Sequence, residues 1–371
     1  MVPLLGVRKL RIETMRYKSY KRLKRAAKAL TACSVVFLLL FSLYASVVWF
    51  NVPYLSTLRD IWIETAMTTN DHQWLATGLF PEWLIEDVMS RQVRTDDVLG
   101  GLTLPEKDPD SSEAFAEQKD ILGQKQLTVG GKDAVGNKVL VNDIEQGIVI
   151  SQIKGSTFVG QLVMIDDPSR VFVATTNRKG VWGQCVGELM EEHNAVIGIN
   201  GSGFEDIDGH GKGGVINGLC YSMGEPWGTN NGWPAIVFDE NDRLIVGKID
   251  DWEAYHVRDG VQFGPVLICD GEQLIKKSAG YGMQPRTIVA QRADGVVFFM
   301  IVDGRQVGYS IGATMGECAD ILMAYGAVNA AACDGGSSSV LAYNGKVINI
   351  PSTPMKDTGR YLPNAFLVRK K

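Results

Sequence analysis

Three glycine-rich junctions hold the residues best suited to chemistry. Asn200-Gly201-Ser202-Gly203-Phe204 follows the apolar run 195–199, Asp303-Gly304-Arg305 follows 297–302, and Asp334-Gly335-Gly336-Ser337-Ser338 follows 328–333. In each, a polar side chain stands where a buried strand should end, and glycine comes next. Glycine permits positive φ and lets a ligand approach the backbone closely. Strand ends of open sheets commonly carry ligand sites. A tight turn explains any one junction; three in one chain point to a shared cleft.

Three arginines form a second group: Arg286 in Pro285-Arg286-Thr287, Arg305 in the second junction, and Arg360 in Asp357-Thr358-Gly359-Arg360. A guanidinium is a planar fork of donors that fits phosphate or carboxylate oxygens two at a time. The bland alternative for each is an ordinary ion-paired surface arginine. Glu317 closes Thr314-Met315-Gly316-Glu317, which reads equally well as a helix capping box. Asp206, Asp208 and His210 lie in the glycine-rich loop 205–214. Its Asp-x-Asp-Gly spacing resembles part of a calcium loop, but no glutamate closes it at the required offset. The loop is read as a border of the cleft, with no metal site assigned. Ser202 between two glycines does not reproduce a Gly-x-Ser-x-Gly nucleophile elbow. With four histidines in the chain, an amidase- or protease-like wall hydrolase is poorly supported.

The elements that must position these residues are short strands and a few helices. Gly147–Ile153, Phe158–Ile165 and Arg170–Thr176 are β-branched and partly alternating. Asn241-Asp242, Asp270-Gly271, Asp294-Gly295 and Asn344-Gly345 sit between apolar runs as hairpin turns. Helices are expected over Val181–Asn194 and Met315–Tyr325, the latter followed by a strand over Val328–Cys333. The fold class is mixed α+β, a strand-rich sheet with interspersed helices, occupying residues 125–371.

The first third of the chain is different. Residues 1–28 hold ten Lys or Arg and one acid, whereas the remainder carries a net charge of −14. An acidic body argues against nucleic acid as partner. Leu30–Phe50 is a run of 21 residues without a charge. As a helix it rises about 30 Å, the thickness of a bilayer's hydrocarbon core. It ends in Trp49-Phe50-Asn51 rather than a small-residue cleavage site, which favours a transmembrane helix over a signal peptide. The basic segment 1–29 should stay in the cytoplasm and the main domain should lie outside a cell membrane crossed once. Residues 51–124 are expected to form a stalk, or a helical collar packed on the domain or the membrane surface. They include amphipathic stretches Leu55–Thr65 and His72–Met89 and a polar linker at Glu106–Lys119. The six cysteines show no C-x-x-C pair, so thiolate metal binding is disfavoured. One span cysteine leaves five outside, compatible with one or two disulfides or with buried small hydrophobes.

Taken in order, these pieces resemble the phosphodiester glycosidase family over about residues 140–371. The family's Asn-Gly-Gly-Phe-Phe segment corresponds to Asn200–Phe204, its Gly-Pro-hydrophobic segment to Phe263-Gly264-Pro265-Val266-Leu267, and its Pro-Arg-Thr to residues 285–287. Its Asp-Gly-Arg matches Asp303–Arg305, its Thr-x-x-Glu matches Thr314–Glu317, its Asp-Gly-Gly-x-Ser matches Asp334–Ser338, and its closing Arg is Arg360. The chain departs from the pattern at Ser202 and Gly203. Residues 1–120 lie outside the resemblance and look like the membrane anchor of Gram-positive members.

The resemblance implies hydrolysis of a sugar 1-phosphodiester at the anomeric carbon, on cell-surface or exopolysaccharide glycans, without a cofactor. Asp334, Glu317 and Asp303 are then the candidate catalytic carboxylates, as nucleophile or as base for water. Arg286, Arg305 and Arg360 would grip phosphate, and Asn200, Gly201, Phe204, Gly335, Gly336, Ser337 and Ser338 would contact sugar or phosphate. The alternative is a non-catalytic module that binds wall polymers through the same cleft.

Overall fold

The computed structural model describes residues 4–50, 52–69, 72–101, 120–206 and 211–371. The expected linker Glu106–Lys119, and Asp208 and His210 of the glycine-rich loop, lie outside the described residues. The chain divides into two units, residues 1–60 and 61–371.

The first unit is dominated by helix α1 (Leu4–Trp49), 46 residues in one piece. Its portion Ser19–Trp49 is long and apolar enough to cross a membrane. The helix runs back through the basic segment because Lys, Arg, Leu and Ala are all good helix formers.

Helices α2 (Leu55–Met67), α3 (Trp74–Thr77) and α4 (Glu82–Ser90) follow. The expected helical stretch 72–89 is broken in two, with Gly78 capping α3 and Pro81 standing before α4. Proline lacks the N–H that a continuous helix needs. Residues 61–101 are bound to the body: Met283 N donates to Thr65 Oγ1 at 2.9 Å, Val266 N to Thr95 Oγ1 at 2.9 Å, and Val93 N to Ala279 O at 3.0 Å. The strand Leu99–Gly101 also adds to a sheet edge beside Leu244–Gly247. The compact body therefore begins well before residue 125, and this part of the chain is a collar on it.

Among the described residues all the strand pairs of the body are antiparallel, in three sheets. The four expected hairpin turns are present, and Asp242, Asp270 and Asn344 adopt the positive φ that such turns require. The eight-stranded sheet has Ala327–Ala332, Arg286–Arg292 and Val297–Val302 side by side at its centre. The five-stranded sheet is centred on Ala195–Asn200 and Asn364–Arg369, and the six-stranded sheet on Ala235–Asp239 and Val257–Gln262. Phe299, Phe366 and Phe238, one from each sheet, meet in the main core with centroids 6.3 and 6.4 Å apart.

Helix α6 (Met315–Ala324) packs Cys318, Ala319 and Leu322 against Phe298 and Met300 on the outer face of the eight-stranded sheet. Helix α5 (Val186–Glu192) does the same for the five-stranded sheet with Val186, Leu189 and Met190. Both faces being covered, strands such as 297–302 read as continuous apolar runs. Helix α5 is shorter than the expected 181–194. Gln184 pairs as a bridge with Leu362, and a Cβ at Gly183 would lie 2.5 Å from Leu362 O, so this backbone is committed to the segment that leads into the strand Asn364–Arg369. All six cysteines are free, so the disulfides that their number would allow do not form.

Candidate active site

Register brings the distant motifs together. Arg286 lies opposite Val302, which places it beside Asp303, and Ile288 lies opposite Ala332. Cys333 N donates to Thr287 O at 2.9 Å. The start of 286–292 and the ends of 297–302 and 327–332 thus lie at one end of the central strands of the eight-stranded sheet.

Asn200, at the end of its strand in the five-stranded sheet, ties that sheet to these strand ends. Its Nδ2 donates to Asp334 O at 2.6 Å, while its Oδ1 accepts from Thr287 Oγ1 at 2.8 Å and Val340 N at 3.2 Å. Asp334 N in turn donates to Gly201 O at 2.9 Å. Asn200 is fully buried, and neither it nor Gly201 reaches the cleft. Their contribution is to hold the Asp334 turn in place, since each buried polar atom must find a partner.

The cleft has a volume of about 570 Å³, within the range of small-molecule sites. Asp334 and the turn Gly335–Ser338 form one wall, and Arg286, Arg305 and Arg360 reach the same space. The three arginines are held in different ways. Arg286 is buried, its Nε donating to Ala313 O at 3.1 Å and its Nη2 to Tyr281 O and Gly282 O, each at 2.8 Å. Among the described residues no carboxylate lies within ion-pairing distance of it. Burial lowers its guanidinium to about 10, and Arg305 adds to the effect by like-charge repulsion.

Arg305 donates through Nε and Nη2 to Gln284 Oε1, at 3.0 and 2.9 Å. Gly336 has φ +59, and a Cβ there would stand 3.0 Å from Arg305 Nη2. That position therefore needs glycine for both conformation and clearance. Arg360 Nη1 bridges Asp206 Oδ2 at 2.8 Å and Ser337 Oγ at 3.0 Å, and its guanidinium lies 4.7 Å from the Phe204 ring centroid.

Asp334 is a carboxylate of the same cleft, with the Arg360 charge acting on it. Burial raises it to about 6, and the Asp206 charge pushes in the same direction. Ser338, Arg360 and the Gly335 amide act the other way. A carboxyl poised near neutrality inside a cleft is suited to acid–base or nucleophilic work.

The other two carboxylates singled out in the sequence are occupied elsewhere. Asp303 is buried, its Oδ1 accepting from Asn349 Nδ2 and Ile350 N at 3.0 Å each and its Oδ2 from Tyr309 OH at 2.9 Å. Burial raises its pKa as well, but it braces the Arg305 turn and does not line the cleft. Glu317 forms both halves of the capping box with Thr314, at 2.9 and 3.2 Å, and also lies outside the cleft.

Other residues of the cleft were not among the sequence candidates. Asp206, in sequence a residue of the bordering loop, is brought into the cleft by its ion pair with Arg360. Trp233 and Phe263, edge to face at 5.3 Å, stand with Asn217 on another wall. Thr68, Thr69, His72 and Gln92 of the collar also line the cleft, although nothing in their spacing marks them. No group of three His, Cys, Asp or Glu among the described residues could hold a metal ion.

With this geometry in place, the similarities are informative. Residues 193–369 match the model of the phosphodiester glycosidase family. The motif-based resemblance and this match name the same family. Over 192 residues the chain is 28% identical to an SPbeta prophage-derived protein, YomE, of Bacillus subtilis strain 168. That alignment covers 49% of this chain and 29% of YomE, so the chain spans less than a third of that relative. In fold, the chain is similar to the zebrafish N-acetylglucosamine-1-phosphodiester alpha-N-acetylglucosaminidase catalytic domain auto-inhibited by pro-peptide. The TM-score is 0.50 at 19% identity, over 66% of this chain and 87% of that one. A hypothetical protein from Synechocystis aligns at a TM-score of 0.48 and 17% identity, over 63% of this chain and 64% of that one.

Proposed function

We propose that this phosphodiester glycosidase domain hydrolyses a sugar 1-phosphodiester, cleaving between the anomeric carbon and the phosphate oxygen. The observation that carries the reading is Arg286: a buried cation, held by three carbonyls and facing a cleft, with no carboxylate among the described residues within ion-pairing distance. Such a charge is costly unless an anion arrives. A phosphodiester supplies that anion, and Arg305 and Arg360 add donors suited to its oxygens.

The leaving group is a phosphomonoester, far less basic than a sugar alkoxide, so little proton donation is needed. Guanidinium charge stabilises it as the C1–O bond breaks. The Asp334 carboxylate, at the opposite side of the reacting carbon, acts as nucleophile or as base for the attacking water. Water supplies the new hydroxyl at C1 and a free sugar is released. Trp233 and Phe263 offer an apolar platform for the sugar ring, with the Asn217 amide beside them.

The enzyme is anchored through Ser19–Trp49, with its basic segment in the cytoplasm and its cleft outside, acting on cell-surface or exopolysaccharide glycans. Purified full-length protein incubated with a panel of sugar 1-phosphodiesters, with and without chelator, should release free sugar. The Asp334→Asn variant should release none. Binding of these substrates without turnover by any preparation would instead make the protein a glycan-binding module.

A further inference from the structure

The anion-binding arginines are not positioned by the family-matched residues alone. The chain from 279 to 284 lies against the collar along its whole length. Val93 N donates to Ala279 O at 3.0 Å, Tyr281 OH to Val93 O at 3.1 Å, and Met283 N to Thr65 Oγ1 at 2.9 Å. Gln284 Nε2 completes the series, donating to Thr65 O at 2.8 Å and approaching Thr68 Oγ1 at 3.4 Å. Side chains carry most of these bonds, and the two backbones also approach closely. At Gly282, with φ +58, a Cβ would stand 2.4 Å from Thr65 N.

The opposite side of the same segment holds two of the three guanidiniums. Tyr281 O and Gly282 O accept from Arg286, and Gln284 Oε1 accepts both from Nε and from Nη2 of Arg305. One amide side chain, Gln284, therefore has its nitrogen on helix α2 and its oxygen on Arg305. An amide has fixed donor and acceptor ends, so the α2 contact dictates where the acceptor points.

We propose that the collar helix α2 is a positioning element of the anion site: Thr65 and Gln284 set the placement of Arg286 and Arg305 through the segment 279–284. The proposal rests on the reading that these arginines hold a phosphate. Thr65 does not line the cleft. Its hydroxyl meets the segment instead, accepting from Met283 N at 2.9 Å. Its Oγ1 also donates to Ile61 O at 2.6 Å, so the hydroxyl is already oriented to accept from Met283 N.

The test compares wild type, Thr65→Val, Thr65→Ser and Gln284→Met as full-length proteins in detergent. Inorganic phosphate binding is measured by calorimetry, and folding by thermal melts. Thr65→Val and Gln284→Met should weaken phosphate binding by about tenfold, the scale of one lost charge-assisted hydrogen bond. Thr65→Ser, which keeps the hydroxyl, should match wild type. With a hydrolysable sugar 1-phosphodiester, KM should rise by a similar factor while kcat stays within about twofold. Unchanged phosphate affinity in Gln284→Met, or in a folded Thr65→Val, overturns the proposal while leaving the hydrolase reading intact. Hydroxyl-dependent phosphate binding without turnover of any phosphodiester preserves it and removes the hydrolase reading instead.

Discussion

Asp334→Asn should change stability in a pH-dependent way as well as abolish hydrolysis. The folded protein raises this carboxyl from an ordinary 3.8 to about 6. A raised carboxyl holds its proton more tightly when folded than when unfolded. Its contribution to stability is therefore greatest at low pH, is lost as pH climbs from about 4 through 6, and is flat above. A shift of this size corresponds to about 3 kcal/mol in the limit. Water in the cleft screens part of it, leaving on the order of 1–3 kcal/mol. Asparagine does not titrate, so the variant lacks that loss. Chemical unfolding of both proteins at pH 4 and pH 8 isolates the effect, because any constant difference in hydrogen bonding cancels. The stability difference, variant minus wild type, should be more positive at pH 8 by 1–3 kcal/mol on that same scale. A difference that does not move with pH would refute the argument that burial has poised Asp334.

Three further substitutions examine the cleft. Arg286→Lys keeps a charge but cannot fork to Ala313 O, Tyr281 O and Gly282 O together; turnover of phosphodiesters should fall more than that of aryl glycosides, and equal losses would argue against a phosphate role. Asp206→Asn removes a negative charge that raises Asp334 and releases Arg360, which lowers it. The acid limb of kcat/KM should therefore move to lower pH, and an unmoved limb would exclude this coupling. Trp233 is 41% exposed, so Trp233→Ala should alter stability by less than about 1 kcal/mol. It should raise KM for the sugar substrate while leaving inorganic phosphate affinity unchanged, whereas loss of both would assign the tryptophan a structural part.

Much of the fold was legible because its signals are local. Turn pairs such as Asp294-Gly295 and Asn344-Gly345 mark hairpins by the conformation they permit, and all four expected turns are present. The apolar run ending at Trp49 has the length of a bilayer span whatever its context. Partnership is harder to read. Asn200, Asp303 and Asp334 look alike in sequence, each a polar residue at the end of a buried strand. They differ only in what register brings opposite them: Thr287 and Val340 satisfy Asn200, Asn349 and Tyr309 satisfy Asp303, and the cleft receives Asp334. The collar's share of the site was hidden for a related reason. Thr65 and Thr68 look like surface residues of an amphipathic helix until Gln284, more than two hundred residues away, is placed against them.

The cleft's charge pattern fits its proposed chemistry better than it fits ordinary glycoside cleavage. A glycosidase acting on an alkoxide leaving group pairs a protonated acid with an ionised carboxylate across the bond. Among the described residues two carboxylates reach the cleft, and they are not such a pair. Asp206 is tied to Arg360 at 2.8 Å, and the charge of that same arginine acts on the Asp334 carboxyl. What abounds instead is fixed positive charge, one member of it buried without a counter-ion. A guanidinium is a poor proton donor at physiological pH, but it stabilises negative charge that develops on a departing oxygen. In the proposed reaction the cations would serve the departing phosphate and one poised carboxylate the anomeric carbon, as a leaving group that carries its own charge requires.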